Sequence, residues 1–362
     1  MPGRRELAGA WQPTCASLAA ATEAGGGVSN LEIYLPAPNR VELRRYEDAP
    51  LGSGEVRGRT LASIDSPGSI LAILGGAMPG SLPARPGHAA VFEVDEVGGE
   101  VTSVAPGDRL LCQGSNRSTQ QFVSHLTAPV PAGLHPVTAV LARLMGVSMT
   151  TLMTTSARPG DLVAVTGLGP VGYLAAHLFR LANYEVIAAD PDARRRRLAA
   201  DSGITEVYAQ LPADDAAVAG RVDLVVECSG NEAAVADACK VAATGAEVVL
   251  VGTPWLRNTE VYAQEILKVV FYRLLTLRSG WEYEIPLRRM PFGHGGHNRD
   301  YSNARHTVFS GYEKALSWLA AGRIPLAGTV RTVSPRDAAA VYRGLQRREY
   351  KELFLIWDWT AL

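Results

Sequence analysis

The run Val163-Ala164-Val165-Thr166-Gly167-Leu168-Gly169-Pro170-Val171-Gly172 is the segment best suited to chemistry. An apolar strand, a G-x-G-x-x-G turn and a helix start follow one another in it without a gap. Gly167 permits a tight turn, Gly169 lets the backbone approach a pyrophosphate, and Gly172 lets helix and strand pack closely. Leu168, Pro170 and Val171 complete the turn, and the helix start offers oriented N–H groups and a positive dipole to an anion. Asp190 lies 18 residues past Gly172, at the end of the next strand. A carboxylate there accepts hydrogen bonds from a ribose diol and repels a 2′-phosphate, so the pattern predicts NAD in preference to NADP. Residues 194–197 are all arginine. Basic groups there could hold a 2′-phosphate, and Arg194 is counted with the cofactor site, but Asp190 favours a solvated helical turn. Ser229, within Cys228-Ser229-Gly230, and Gly252-Thr253 follow the next two apolar strands, and Ser279 follows the strand after them. A ligand lies across such carboxyl ends in an open α/β sheet.

The elements that must position these groups are legible as a change of texture. From Asp161 onward, continuous apolar strands at 162–166, 186–189, 222–227, 247–251 and 274–278 alternate with helical stretches at 171–181, 194–200 and 233–242. Strands apolar on both faces, alternating with helices, predict a doubly wound parallel sheet. Before it, short β-like runs at 31–35, 41–46, 56–63, 89–97 and 109–112 are cut by Pro and Gly turns, which predicts a small, mainly antiparallel, barrel-like unit. A helical pattern follows Pro136, with Val137, Val140, Leu141, Leu144 and Met145 at three-to-four spacing. Beyond Tyr312 a helix is expected to run to Ala321, and the tail 329–333, 335–345 and 352–357 reads strand, helix, strand. The simplest assembly returns that tail to the barrel. The expected organisation is a flexible Gly-rich lead-in (1–29), a barrel-like unit (30–153), a dinucleotide-binding unit (154–321) and a C-terminal return (322–362).

Composition bounds the function classes. The chain has 362 residues, 47% hydrophobic and 20% charged, with 35 Lys plus Arg against 36 Asp plus Glu. A formal net charge of −1 gives no basic surplus for nucleic acid or an anionic membrane surface. The four cysteines, Cys15, Cys112, Cys228 and Cys239, form neither a metal-finger spacing nor a secreted disulfide framework. No apolar run approaches the roughly 20 residues of a membrane span. The expectation is a soluble cytoplasmic protein with a small-molecule substrate.

The order of parts, with Gly167-Leu168-Gly169-Pro170-Val171-Gly172 and Asp190, resembles the medium-chain dehydrogenase/reductase superfamily, the alcohol dehydrogenase type, over residues 30–362. Pro106-Gly107-Asp108-Arg109-Leu110 and Arg158-Pro159-Gly160-Asp161 match its recurring turns. The resemblance implies a GroES-like catalytic unit plus a Rossmann unit, hydride chemistry, and a homodimer formed along the edge of the dinucleotide sheet. Zinc members carry Cys-Gly-Ser-Asp, Gly-His-Glu and a further Cys or Glu before the Gly-rich turn. Here these become Pro67-Gly68-Ser69-Ile70, Gly87-His88-Ala89 and Arg143, and Cys112 stands alone where a structural zinc lobe would carry four cysteines. One imidazole cannot hold zinc, so the chain is expected to be zinc-free. The stretches 62–71 and 88–94 are similar to a zinc-less branch that includes the enzyme oxidising the hydroxyethyl side chain of bacteriochlorophyllides and related sugar or polyol dehydrogenases. The chain departs from that branch at Ile70, where the branch has Glu, and at His88, where it often has Tyr.

Without a metal, proton donors must handle the developing alkoxide. Ser69 matches the hydroxyl that passes the substrate proton in zinc enzymes, His88 can titrate near neutrality, and Arg143 could offer fixed positive charge to a carbonyl oxygen. The bland readings are a turn serine, a structural histidine and a salt-bridged helix arginine. The expected activity is interconversion of a secondary alcohol and a ketone. An NADPH-dependent enoyl or quinone reductase and a catalytically silent dinucleotide-binding protein are the alternatives. The tract Gly293-His294-Gly295-Gly296-His297 with His306 has no rigid ligand geometry and is not expected to bind metal. Trp281 and Tyr283 sit in a long loop and either wall the substrate pocket or serve an interface.

Overall fold

The computed structural model describes residues 30–78, 80–288 and 304–362; the lead-in 1–29 and the tract 293–297 lie outside the described residues. The turn-punctuated first part forms β1 (Asn30–Ala37), β2 (Arg40–Tyr46), β3 (Glu55–Ile64), α1 (Pro67–Leu74), β4 (Ala89–Val97), β5 (Arg109–Cys112), β6 (Thr119–Val123) and β7 (Ala128–Pro129). β1 and β2 are an antiparallel pair, and β3 is the hub of the larger sheet, pairing antiparallel with both β4 and β6. The helical segment comes in two pieces, α2 (Pro136–Ala139) and α3 (Ala142–Thr154).

The alternating part forms β8 (Leu162–Thr166), α4 (Pro170–Leu181), β9 (Glu185–Ala189), α5 (Ala193–Asp201), β10 (Glu206–Tyr208), β11 (Val222–Glu227), α6 (Glu232–Val241), β12 (Ala242–Leu250), α7 (Ala263–Tyr272) and β13 (Thr276–Ser279). Its six strands are parallel in the order β10-β9-β8-β11-β12-β13, which reverses direction between β8 and β11. Val163, Ala164, Val165, Leu224, Val225 and Val226 are fully buried because helices cover both faces, which is why these strands carry no polar alternation. The chain closes with α8 (Val308–Ala320), β14 (Val330–Val333), α9 (Ala338–Gln346) and β15 (Phe354–Asp358). β15 pairs parallel with β14 and antiparallel with β3, so the C-terminal strands rejoin the first sheet.

Some elements differ from the sequence expectation. α8 begins at Val308 rather than Tyr312, because Thr307 and Ser310 cap each other's backbone N–H reciprocally. A second hydroxyl residue stands where a capping box usually has Glu or Gln. The pattern also does not predict α1, α7 or the short β10. Pro136–Thr154 is long and apolar enough by composition to cross a membrane, contrary to the expectation from run lengths, and 67% of it is buried in this fold. α3 packs on α4 and α8 at the centre of the molecule. One continuous core runs from Ile64 and Val91 of the first sheet through Leu144 and Met145 to Val163 of the second sheet and Leu174 of α4. Each fully buried side chain of this size contributes about 1.5–3 kcal/mol relative to exposure.

His177 on α4 is buried, edge-on to Tyr173, with Nε2 3.0 Å from Ser202 Oγ. Burial, aided by the Arg180 charge, lowers its pKa to about 4. The neutral imidazole therefore favours the folded state fully above about pH 6.5, and this contribution is lost as pH falls toward the folded value. Urea midpoints measured from about pH 7 to pH 4 should fall less steeply in H177Q than in the native chain. The residue's own share of the slope is up to about 1.4 kcal/mol per pH unit.

Candidate active site

Across the parallel sheet, Ala189, Thr166, Glu227, Leu250 and Ser279 lie in register as one row at the carboxyl edge. The residues nominated for a cofactor follow that row or close it: the turn 167–172 after β8, Asp190 after β9, Ser229 after β11, Gly252 and Thr253 after β12, and Ser279 itself. Gly167 adopts φ +79°, and a Cβ on Gly172 would lie 1.8 Å from the Gly167 carbonyl oxygen. Both positions therefore demand glycine. Gly169 is the N-cap of α4 and Pro170 its first residue, so the free N–H groups of the helix open onto the turn. Asp190 is buried; its Oδ2 accepts from Leu168 N at 2.7 Å and its Oδ1 from Asp192 N at 2.8 Å. Arg195, rather than the nominated Arg194, lies against it, with Nη1 3.3 Å from Asp190 Oδ2. Arg194 is exposed and paired with Asp192, the N-cap of its own helix.

Glu227 organises the next loop. Its carboxylate accepts from Ser229 N at 2.7 Å, from the Ser229 hydroxyl, from Gly230 N at 3.1 Å and from Thr166 Oγ1 at 3.2 Å. Burial pushes its pKa up, against the pull of those donors. The strand-end glutamate thus ties the loop after β11 to β8.

A second polar cluster is built from five elements. Arg143, in the first turn of α3, forms a two-oxygen ion pair through both Nη atoms with Glu282, just past β13. Both side chains are 4% exposed. The Arg143 guanidinium lies 5.5 Å from the centre of the Tyr312 ring on α8. Gln113, after β5, donates to Tyr312 OH at 2.7 Å and accepts from Tyr283 OH at 3.2 Å. Burial opposes the Arg143 charge, but the Tyr312 and Glu282 oxygens outweigh it and hold the guanidinium charged. His88, at the head of β4, has a buried Nε2 with no hydrogen-bond partner, as does Arg143 Nε. Burial first, and then the Arg143 charge, hold the His88 pKa well below the usual histidine range, so the imidazole is neutral.

The structure brings His88 within electrostatic reach of Arg143. Ser69 is half-buried in the first turn of α1, a helix that packs on α9. Asp65, just before that helix, is the more deeply buried polar group, accepting from Asn116 Nδ2, Tyr342 OH and Trp357 Nε1, each at 2.9 Å.

The zinc-binding dehydrogenase family profile matches residues 170–284. An alcohol dehydrogenase from Geobacillus stearothermophilus is 26% identical over 255 residues, 59% of this chain and 74% of the relative. An L-arabinitol 4-dehydrogenase from Aspergillus oryzae is 26% identical over 249 residues, 55% of this chain and 63% of the relative. Another curated relative is matched over only 38% of its length. The structure of acetophenone reductase from Geotrichum candidum in complex with NAD superposes with a TM-score of 0.74 at 16% identity, over 92% of this chain and 98% of that one. These matches support the medium-chain dehydrogenase/reductase superfamily for this chain. Solved neighbours carry NAD in one case and NADP in another, so the shared ligand class is a nicotinamide dinucleotide.

Zinc is the metal that the superfamily profile's description names. The residues present do not fit it. Among the described residues no three His, Cys, Asp or Glu side chains lie close enough to hold a metal ion. Beside His88 stands the Arg143 cation, and the nearest carboxylate in the cluster, Glu282, is already committed to that cation on both oxygens. Asp65 is likewise committed to its three donors.

The residues that spacing alone misses are Glu282, Gln113, Tyr312, Glu227, Asp65 and Arg195. Glu227 and Asp65 carry a signal, a single acid ending an apolar strand, which signifies a buried carboxylate with assigned donors. No local signal links Arg143 to Glu282, 139 residues apart.

Proposed function

We propose that this protein is a NAD-dependent, zinc-independent oxidoreductase that interconverts a secondary alcohol and a ketone on a polar small molecule. The observation that carries the reading is the turn 167–172 opening on the carboxyl row, with Asp190 bonded directly to it through Leu168 N. The α4 N-terminus and the turn's backbone N–H groups would take the pyrophosphate. Asp190, beside Arg195, would meet the adenosine ribose and disfavour a 2′-phosphate. When bound, the nicotinamide supplies the hydride acceptor or donor. The unpaired His88 Nε2 would exchange the hydroxyl proton, and its neutrality would let it accept that proton during alcohol oxidation. Arg143 Nε, also unpaired, offers a second N–H to the substrate oxygen. Tyr262, Leu267, Phe271, Tyr272 and Leu274, exposed on and around α7 beside the β13 edge, support a homodimer along that edge.

The test is thermal unfolding of protein purified without chelator. NADH at about 100 times its Kd should add about 2.7 kcal/mol of stability, and NADPH at the same concentration distinctly less. Asp190→Ala should narrow that difference. Equal stabilisation by both cofactors overturns the NAD assignment, and one zinc per chain by elemental analysis overturns zinc independence. NADH binding without turnover of any polyol, sugar or enone would instead support a silent dinucleotide-binding protein.

A further inference from the structure

The buried Arg143–Glu282 pair has a consequence for what the site accepts. A buried guanidinium beside a reaction centre is ordinarily a receptor for a substrate carboxylate, because its fork of donors matches two oxygens. Here the chain supplies those two oxygens itself, from Glu282 on the segment that leaves the carboxyl end of β13. The remaining groups of the cluster, His88, Gln113, Tyr283 and Tyr312, add hydrogen-bonding atoms but no compensating charge. We propose that Glu282 is a specificity-determining residue, which occupies the Arg143 fork and restricts the site to uncharged alcohols and ketones, excluding 2-hydroxy and 2-oxo acids.

An acid entering this cluster would place two carboxylates against one cation in a setting from which water is excluded, or it would have to expel Glu282 unpaired into that setting. Either arrangement is unfavourable. An uncharged carbonyl meets no such penalty and still finds the two unpaired nitrogens, His88 Nε2 and Arg143 Nε. Glu282 is thus a positioning and excluding residue, and the proposal rests on the NAD-dependent reading above.

The test needs no turnover. Quenching or enhancement of NADH fluorescence is titrated on the protein–NADH complex with oxamate, a carboxylate mimic of 2-oxo acids, and with isobutyramide, an uncharged mimic of a ketone adduct. The native protein should bind isobutyramide at least tenfold more tightly than oxamate. E282Q, which keeps the shape and removes the charge, should shift the ratio of the two dissociation constants toward oxamate by at least tenfold. E282D, which keeps the charge, should stay near the native ratio, and R143M/E282M should lose the gain seen in E282Q. A native preference for oxamate overturns the proposal whether or not E282Q folds. So does an unchanged ratio in folded, NADH-binding E282Q, or an oxamate gain that survives loss of Arg143. Failure of the native protein to bind NADH at all would instead strike the cofactor reading.

Discussion

Replacing Arg143 alone with methionine is expected to lower the free energy of unfolding by about 3–5 kcal/mol, the usual result of leaving one buried charge without its partner. Glu282 would keep its burial, retain only the weak contact from Thr150 to its backbone oxygen, and lose both strong donors to its carboxylate. The double variant R143M/E282M should recover most of that loss, because a buried ion pair offsets its desolvation cost only narrowly and two well-packed methionines avoid the cost altogether. Urea denaturation of the four chains, native, R143M, E282M and double, yields the coupling energy directly. Additive losses would mean that the pair is not shielded from water as the structure shows it.

Gly172→Ala is expected to weaken NADH binding by about ten- to a hundredfold. The added methyl would overlap the Gly167 carbonyl oxygen at 1.8 Å and press on Cys228 Cβ at 3.2 Å. The first contact is backbone against backbone, so no rotamer change relieves it. Either α4 moves away from β8 or the turn flattens. Overpacking of this kind costs about 1–3 kcal/mol, and each 1.4 kcal/mol taken from the bound state is about tenfold in Kd. Fluorescence titration with NADH checks the affinity, and the thermal midpoint of the unliganded protein separates a lost turn from a lost fold. An affinity within about twofold of native would mean that the turn does not hold the cofactor.

The two halves of this molecule were not equally legible from its residues. The dinucleotide unit was, because buried parallel strands such as β8 and β11 are apolar without interruption and the glycines of the turn answer to local backbone geometry. Strand ends there agree with the pattern to within a residue or two, apart from β12, which starts five residues early at Ala242. α7 is not legible because exposed Leu267, Phe271 and Tyr272 blur the stripe of Ile266, Val269 and Val270 that packs on the core. α1 escaped because Pro67-Gly68 reads as a turn although Pro at the start of a helix is favourable. The polar cluster around Arg143 was the least legible part. His88 and Arg143 could be nominated by resemblance, whereas Glu282, which takes both Nη atoms of Arg143, reaches it only through the packing of the turn 282–284 against α3. Arg194 and Arg195 show the same limit on a smaller scale, since one residue of helical rotation separates a solvent-facing pair with Asp192 from a contact with Asp190.

The Arg143–Glu282 pair also bears on how such a site changes over time. Its partners lie 139 residues apart, one on the helix between the two sheets and the other beyond the last strand of the dinucleotide unit. Exchange of either alone passes through a chain with an unpaired buried charge, so single substitutions here form a valley that selection does not readily cross. A descendant that accepts acids would require coordinated replacement at both positions. Sequences on either side of that valley should therefore differ at positions 143 and 282 together.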